Sequence, residues 1–319
     1  MTTDEPQGRI RFGVAGAGAT GGYLAATLAD AGHDVTLLAR GRSAEVIARD
    51  GITIDGPGDR QISAKPRVIT SEDSIEPVDV TLFCVKAYDT DAAARDISNL
   101  VGTDGAILCL QNGVTNEETL AAVHGAERIL SGVLYIGAER VEPGQVSCST
   151  PARVILGPSS KGTSEATSHL WAPIARILTE AGIDSSVNED IRQAKWQKFL
   201  FNCGLNPLTA LTGRRLGAIR SEAGGRDLYT SLVREAFMAA AAAGAPLSED
   251  ASQQAEVTAD RMDISSSMAE DLAAGRAMEV DAFTGHVLRL AKEHGTDAPV
   301  TEVVHKLLTV LNRRPEQSG

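Results

Sequence analysis

The run Val14-Ala15-Gly16-Ala17-Gly18-Ala19-Thr20-Gly21-Gly22 constrains this chain more than any other feature. It follows a short apolar stretch at 10–15 and opens an alanine-rich stretch at 20–31 that reads as helix. A GxGxxG spacing is common in glycine-rich turns and is weak by itself. Between a first strand and a first helix it has a mechanical meaning. Gly16 permits the tight turn, Gly18 leaves the main chain bare so that a pyrophosphate can approach, and Gly21 lets helix and strand pack closely. The helix N-terminus then offers free N–H groups and partial positive charge. Gly16, Ala17, Gly18, Ala19, Thr20 and Gly21 are therefore the expected dinucleotide loop, with a ligand-free turn as the bland alternative.

The text beyond this loop continues in the same style. Short apolar runs at 10–15, 34–39, 78–85, 105–110 and 129–135 read as strands, alternating with helical stretches at 20–31, 43–49, 90–99 and 115–123. Runs such as VTLFCV are apolar throughout, as in parallel strands covered on both faces. Runs at 145–149 and 153–156, split by Thr150-Pro151-Ala152, suggest an edge hairpin. A polar stretch at 158–168 precedes a helical run at 169–181 and a last short segment at 182–187. From there the text is helical: 190–205, 228–243, 265–275, 278–294 and 300–311. The expected fold class is α/β, with an N-terminal Rossmann-type doubly wound sheet and an all-helical C-terminal domain. The division falls at about 188: residues 1–188 form the NADP-binding domain and residues 189–319 the substrate and catalytic domain.

Composition removes several function classes. A chain of 319 residues exceeds what one core usually organises. Its formal charge of −12 argues against nucleic acid or an acidic membrane surface as partner. No stretch has the length of a membrane span, and the polar start MTTDEPQG lacks a signal peptide's regions, so a cytoplasmic location is the default expectation. Cys84, Cys109, Cys148 and Cys203 occur singly and read as small buried hydrophobes; no metal site is expected. The terminal RRPEQSG reads as a frayed tail.

NAD-selective sites usually end the second strand with an acid that holds the ribose hydroxyls. Here the strand ends Leu38-Ala39-Arg40-Gly41-Arg42. Arg40 can pair with a 2′-phosphate, which favours NADPH, although a solvated arginine at a strand end is the ordinary alternative. Lys86, after VTLFCV, and Asn112, in LQNG, fall at carboxyl ends of strands, where open α/β sheets bind ligands.

In the helical half, Lys198, Asn202 and Asn206 recur at four-residue steps, so one helix presents all three on a stripe. They lie in KWQKFLFNCGLNPLTALTG, among Phe199, Leu200, Phe201, Leu205 and Leu208. Polar groups in such apolar text need partners. The alternative is a lysine that snorkels and two asparagines that turn the chain before Pro207.

This segment resembles the ketopantoate reductase family (2-dehydropantoate 2-reductases), in which a lysine is followed at four-residue steps by two asparagines and then Pro-Leu-Thr-Ala. A second family segment matches Ser267-Met268 followed by acidic residues, with Glu279 twelve positions after the serine. The glycine loop, VKAY at 85–88 and QNG at 111–113 occur in the family's order. Two departures stand out: Thr284-Gly285 where many relatives have Asn-Gly, and Ile264 where some carry Asn.

The resemblance implies NADPH-dependent reduction of 2-dehydropantoate to pantoate, a step of pantothenate and coenzyme A biosynthesis. It implies Lys198 as general acid with Glu279 beside it, and Asn202, Asn206 and Ser267 as substrate ligands. Asn112 would lie near nicotinamide and substrate, and Lys86 beside the cofactor. The chemistry is coherent. Hydride addition to a 2-keto acid leaves an alkoxide, which an ammonium can stabilise and then protonate. A neighbouring carboxylate keeps a buried lysine charged, and asparagine amides bind oxygens without adding charge. The layout implied is a cleft with cofactor on one wall and proton donor on the other. Alternatives are a related reductase of another branched 2-keto acid and a non-catalytic NADP(H)-binding sensor, which has no use for the Lys/Asn/Asn and Ser/Glu spacings. Alanine-rich helical surface in the second domain suits a homodimer.

Overall fold

The computed structural model of the chain describes residues 10–58, 60–158 and 164–312. Residues 159–163 of the expected polar linker, the polar start and the C-terminal tail lie outside the described residues. The chain divides into two compact units. The first holds residues up to Gln111 and Thr115–Ile191, and the second holds Asn112–Val114 and everything from Arg192.

The first unit runs β1 (Phe12–Ala15), α1 (Ala19–Asp30), β2 (Val35–Leu38), α2 (Gly41–Asp50), β3 (Ile52–Asp55), β4 (Gln61–Ala64), β5 (Arg67–Ile69) and β6 (Val80–Phe83). It continues with α3 (Thr90–Asp96), α4 (Ser98–Val101), β7 (Ala106–Cys109), α5 (Asn116–His124), β8 (Ile129–Glu142), β9 (Gln145–Pro158), α6 (Ser164–Glu180) and β10 (Asp184–Val187). The described strands form one sheet in the order β4-β3-β9-β8-β7-β6-β1-β2-β5, with β10 beside β9. From β5 to β8 the strands are parallel, and their order is that of a doubly wound dinucleotide fold, reversing direction between β1 and β6.

Alternation of side chains explains the uninterrupted apolar strands. Phe12, Val14, Leu37, Leu82, Leu108 and Leu130 pack with Leu24 and Leu28 of α1 and Ile174 and Leu178 of α6. Ala15, Leu38, Phe83, Ile107 and Ile129 point the other way, into a layer with Ala93, Ile97 and Leu120. Each strand is thus buried on both faces, so its residues are mostly apolar and the few polar ones, Thr36, Thr81 and Ser131, are themselves buried.

The edge of the sheet departs from the sequence reading. The 145–156 region is not a hairpin split at Pro151. β9 is one strand that pairs antiparallel with β8 along its length, and the chain turns instead at Pro143-Gly144. Between the pairs Tyr135–Arg153 and Gly137–Thr150, Pro151 and Ala152 stand opposite Ile136 alone. Proline lacks the N–H a ladder needs and is accommodated at such a bulge.

The second unit contains α7 (Ile191–Thr212), α8 (Leu216–Arg220), α9 (Ala223–Ala242), α10 (Ala251–Asp260), α11 (Ser267–Ala273), α12 (Thr284–His294) and α13 (Pro299–Leu311). Its core joins Phe199, Leu200, Cys203, Tyr229, Leu232, Phe283, Val287 and Leu308. Gly204 is required where α7 meets α9, because a Cβ there would collide with the Tyr229 ring. The helix expected at 278–294 begins only at Thr284. A short 3₁₀ turn at Val280–Ala282 precedes α12, and Glu279 lies outside both. No described helix is long and apolar enough to cross a membrane.

Candidate active site

In the first unit the carboxyl ends of β2, β1, β6 and β7 are level, because Leu38 is in register with Ala15, Ala15 with Phe83 and Phe83 with Cys109. The residues that follow, Gly16, Arg40 and Lys86, therefore emerge at one edge of the sheet. Gly16 has φ 103°, a left-handed conformation that favours glycine, and its N–H donates to the Leu38 carbonyl at 3.1 Å. A Cβ at Gly21 would strike the Gly16 carbonyl oxygen, so this glycine is what lets α1 start against β1. A Cβ at Gly18 would meet nothing within 4 Å. Gly18 is also the residue before α1 and provides no side-chain cap, and the first turn carries no acid. Ala17, Ala19 and Thr20 complete a loop whose open space and free N–H groups fit a pyrophosphate.

Arg40 precedes α2, and its Nη2 donates to Asp96 Oδ2 at 2.7 Å. The arginine side chain is 54% exposed and the aspartate 31%. An exposed pair of this kind contributes about 0–1 kcal/mol, little enough for a phosphate to displace. Lys86 is half-buried at the start of a 3₁₀ turn, Ala87–Asp89. That turn is braced by a residue the sequence reading passed over. Buried Gln111 donates through Nε2 to the Val85 carbonyl and to Thr90 Oγ1, each at 2.9 Å, and Thr90 Oγ1 donates to the Ala87 carbonyl at 2.8 Å. Glutamine in a loop after a strand carries no sequence signal of such a brace.

In the second unit α7 continues through Pro207 to Thr212 rather than stopping at 205. Lys198, Asn202 and Asn206 therefore share one stripe, with the asparagines only 7% and 3% exposed. Asn112 belongs to this unit although it follows β7 in the chain. Lys198 Nζ donates to Asn112 Oδ1 at 2.9 Å. Burial and then the charge of Lys195 push the Lys198 ammonium down, Glu279 acts in the opposite sense, and the balance lies at about 8. Glu279 is itself buried, and the backbone beside it is clamped. The Met278 N–H donates to Asn312 Oδ1 at 2.8 Å, and Asn312 Nδ2 donates to the Met278 carbonyl at 3.2 Å.

Ser267 is the first residue of α11 and half-buried. Its neighbour Ser266 caps that helix, accepting from the Ala269 N–H at 3.2 Å, and shares a 2.6 Å hydrogen bond with Thr209 of α7. That bond ties the Ser267 segment to the Lys198 helix. His286 offers no competing proton source, since burial and then Arg289 push it down to about 4. Among the described residues no cluster could hold a metal ion. None of the four cysteines is in a disulfide: Cys109, Cys148 and Cys203 are buried, and Cys84 is half-buried.

Comparison with known proteins gives this geometry a context. The family model described as ketopantoate reductase PanE/ApbA matches residues 12–161, and its C-terminal counterpart matches residues 190–312. The 2-dehydropantoate 2-reductase of Caulobacter vibrioides is 34% identical, over 92% of this chain and 97% of its own. That of Halobacterium salinarum is 32% identical, over 95% of this chain and 99% of its own. The crystal structure of a PanE/ApbA family ketopantoate reductase from Ralstonia eutropha superposes with a TM-score of 0.84 at 29% identity, covering 95% of this chain and 98% of that one. The chain belongs to the ketopantoate reductase family of nicotinamide-dependent oxidoreductases.

Proposed function

We propose that this chain catalyses the NADPH-dependent reduction of 2-dehydropantoate to pantoate. The observation that carries the reading is Lys198, a half-buried lysine whose desolvated ammonium is bonded to Asn112, balanced between Lys195 and Glu279 and brought down to about 8. A general acid works best with a pKa near the operating pH, and a lysine at 10.5 would hold its proton too tightly.

Gly16, Ala17, Gly18, Ala19, Thr20 and Gly21 would hold the pyrophosphate on backbone N–H groups, and Arg40 would exchange Asp96 for the 2′-phosphate. Lys86 would lie beside the cofactor, on a turn that Gln111 keeps in place. When bound, the dihydronicotinamide supplies the hydride for the keto carbon. Lys198 stabilises the charge that develops on the carbonyl oxygen and delivers its Nζ proton there. Glu279 counteracts burial and keeps enough of the lysine charged at neutral pH. Asn202, Asn206 and Ser267 would orient the substrate's oxygens, and Asn112 holds the Lys198 Nζ.

A second reading, reduction of another branched 2-keto acid, is favoured by the two departures from the family pattern. Ile264 packs against the apolar core, and the Thr284 hydroxyl is bonded to the Val280 carbonyl and His305 Nδ1. Neither presents the amide that relatives carry there. Absorbance-monitored NADPH oxidation with 2-dehydropantoate, 2-ketoisovalerate and other branched 2-keto acids, with NADH as control, separates the cases. Turnover confined to 2-dehydropantoate and NADPH supports the proposal. Turnover with a different acid alone replaces the substrate and keeps the chemistry. Tight NADPH binding without turnover on any acid points to a sensor.

A further inference from the structure

The ion pair between Arg40 and Asp96 joins residues 56 positions apart in the chain, both within the first unit. Arg40 stands two residues beyond Leu38, whose carbonyl accepts the Gly16 N–H, so the arginine leaves the sheet beside the glycine loop. Asp96 is the last residue of α3. Ala93, Ala94 and Ile97 pack in the same layer as Ala15 and Leu38, which fixes the end of α3 against the strands that carry the loop and the arginine. A helix disfavours a carboxylate in its last turn, where unpaired carbonyls already give partial negative charge. Asp96 thus works against its own helix, and what it meets there is the Arg40 guanidinium, 2.7 Å away.

A guanidinium can fork onto an oxyanion along either of two edges, and Nη2 takes part in both. Asp96 Oδ2 is bonded to that nitrogen. A 2′-phosphate forked on Arg40 would share Nη2 with the carboxylate, which sets two anions within about 5 Å of each other, where like charges repel. A nucleotide that lacks the 2′-phosphate makes no such demand and leaves the pair intact. We propose that Asp96 is a specificity-determining residue: it competes with the 2′-phosphate for Arg40, and so weakens the nucleotides that carry this phosphate while sparing those that lack it. NADPH and NADP+ carry the same phosphate, so Asp96 loosens reactant and oxidised product alike. This inference rests on the NADPH preference proposed above.

The test is calorimetric titration of NADPH, NADP+, NADH and NAD+ into wild type, Asp96→Asn, Arg40→Gln and the double variant. Asparagine keeps the volume of the side chain and removes its charge. Asp96→Asn should tighten NADPH and NADP+ by about threefold to tenfold and leave NADH and NAD+ as they are. In the Arg40→Gln background the same substitution should tighten NADPH by less than about twofold, because the contest needs the guanidinium. An Asp96 that instead holds Arg40 ready for the phosphate gives the opposite sign, so weaker NADPH binding in Asp96→Asn overturns the proposal. Unchanged NADPH binding, or equal tightening of NADH, overturns it as well, with the NADPH reading left standing. A wild type that binds NADH as tightly as NADPH overturns the NADPH reading, and this proposal with it. If thermal melting shows Asp96→Asn to be unfolded, Asp96→Ser provides the same comparison.

Discussion

The glycine loop of the first unit and helix α7 of the second make functional surfaces by opposite means. At the loop the side chains have been removed: Gly18 leaves open space, Gly21 lets α1 sit against the Gly16 carbonyl, and what remains is backbone. On α7 the candidate groups are all side chains, with Lys198, Asn202 and Asn206 set among apolar neighbours of the core. A backbone site tolerates changes in identity but not in volume. A side-chain site tolerates modest changes in volume but not in identity or charge.

The sharpest way to break this contrast is Lys198→Ala. It should lower kcat by roughly 10²–10⁴-fold, the usual worth of a general acid, with NADPH affinity unchanged in a fluorescence titration. Retention of most turnover would remove Lys198 from the proton-donor role. Arg40→Gln comes next, because Arg40 is the side chain assigned to the 2′-phosphate beside the loop. Loss of a charge-assisted contact should raise the NADPH Kd by about 10–100-fold and leave NADH binding unaltered. Equal weakening of both nucleotides would dissociate Arg40 from the 2′-phosphate.

The two loop glycines sharpen the comparison further. Gly21→Ala forces a methyl group into the Gly16 carbonyl and should cost about 1–3 kcal/mol of stability in chemical denaturation. Gly18→Ala places the same methyl in open space and should leave the denaturation midpoint nearly unchanged while weakening NADPH binding. The reverse ranking in stability would mean that the loop is held by something other than the packing of α1 on β1.

Legibility in the sequence followed the same division. Doubly apolar strands and the glycine spacing announced the parallel sheet, because both are local patterns with one mechanical cause. Lys198, Asn202 and Asn206 were legible because their spacing matches a helical turn, and α7 keeps that turn through Pro207, where local rules expect a break. Strands β3 to β5 gave little signal, being three or four residues long and in part alternating in burial. Helix α10 was missed because the residues it buries are Ala255 and Ala259, with Ala251 at its start, too small to stand out as an apolar stripe. Asn112 meets Lys198 from 86 residues away. Glu279 is presented by an irregular backbone that Asn312 clamps, which no spacing rule encodes.

The most direct test of the account is the pH dependence of kcat/KM for keto-acid reduction in wild type and Glu279→Gln. With Lys198 as the proposed proton donor, the rate should hold below its pKa and fall tenfold per pH unit above it, with the wild-type limb at about 8. Glu279 opposes the effect of burial, so its neutralisation should move that limb to lower pH. A wild-type profile flat to pH values typical of a free lysine, or a limb indifferent to Glu279→Gln, would contradict the claim that a desolvated, charge-balanced Lys198 drives the reaction.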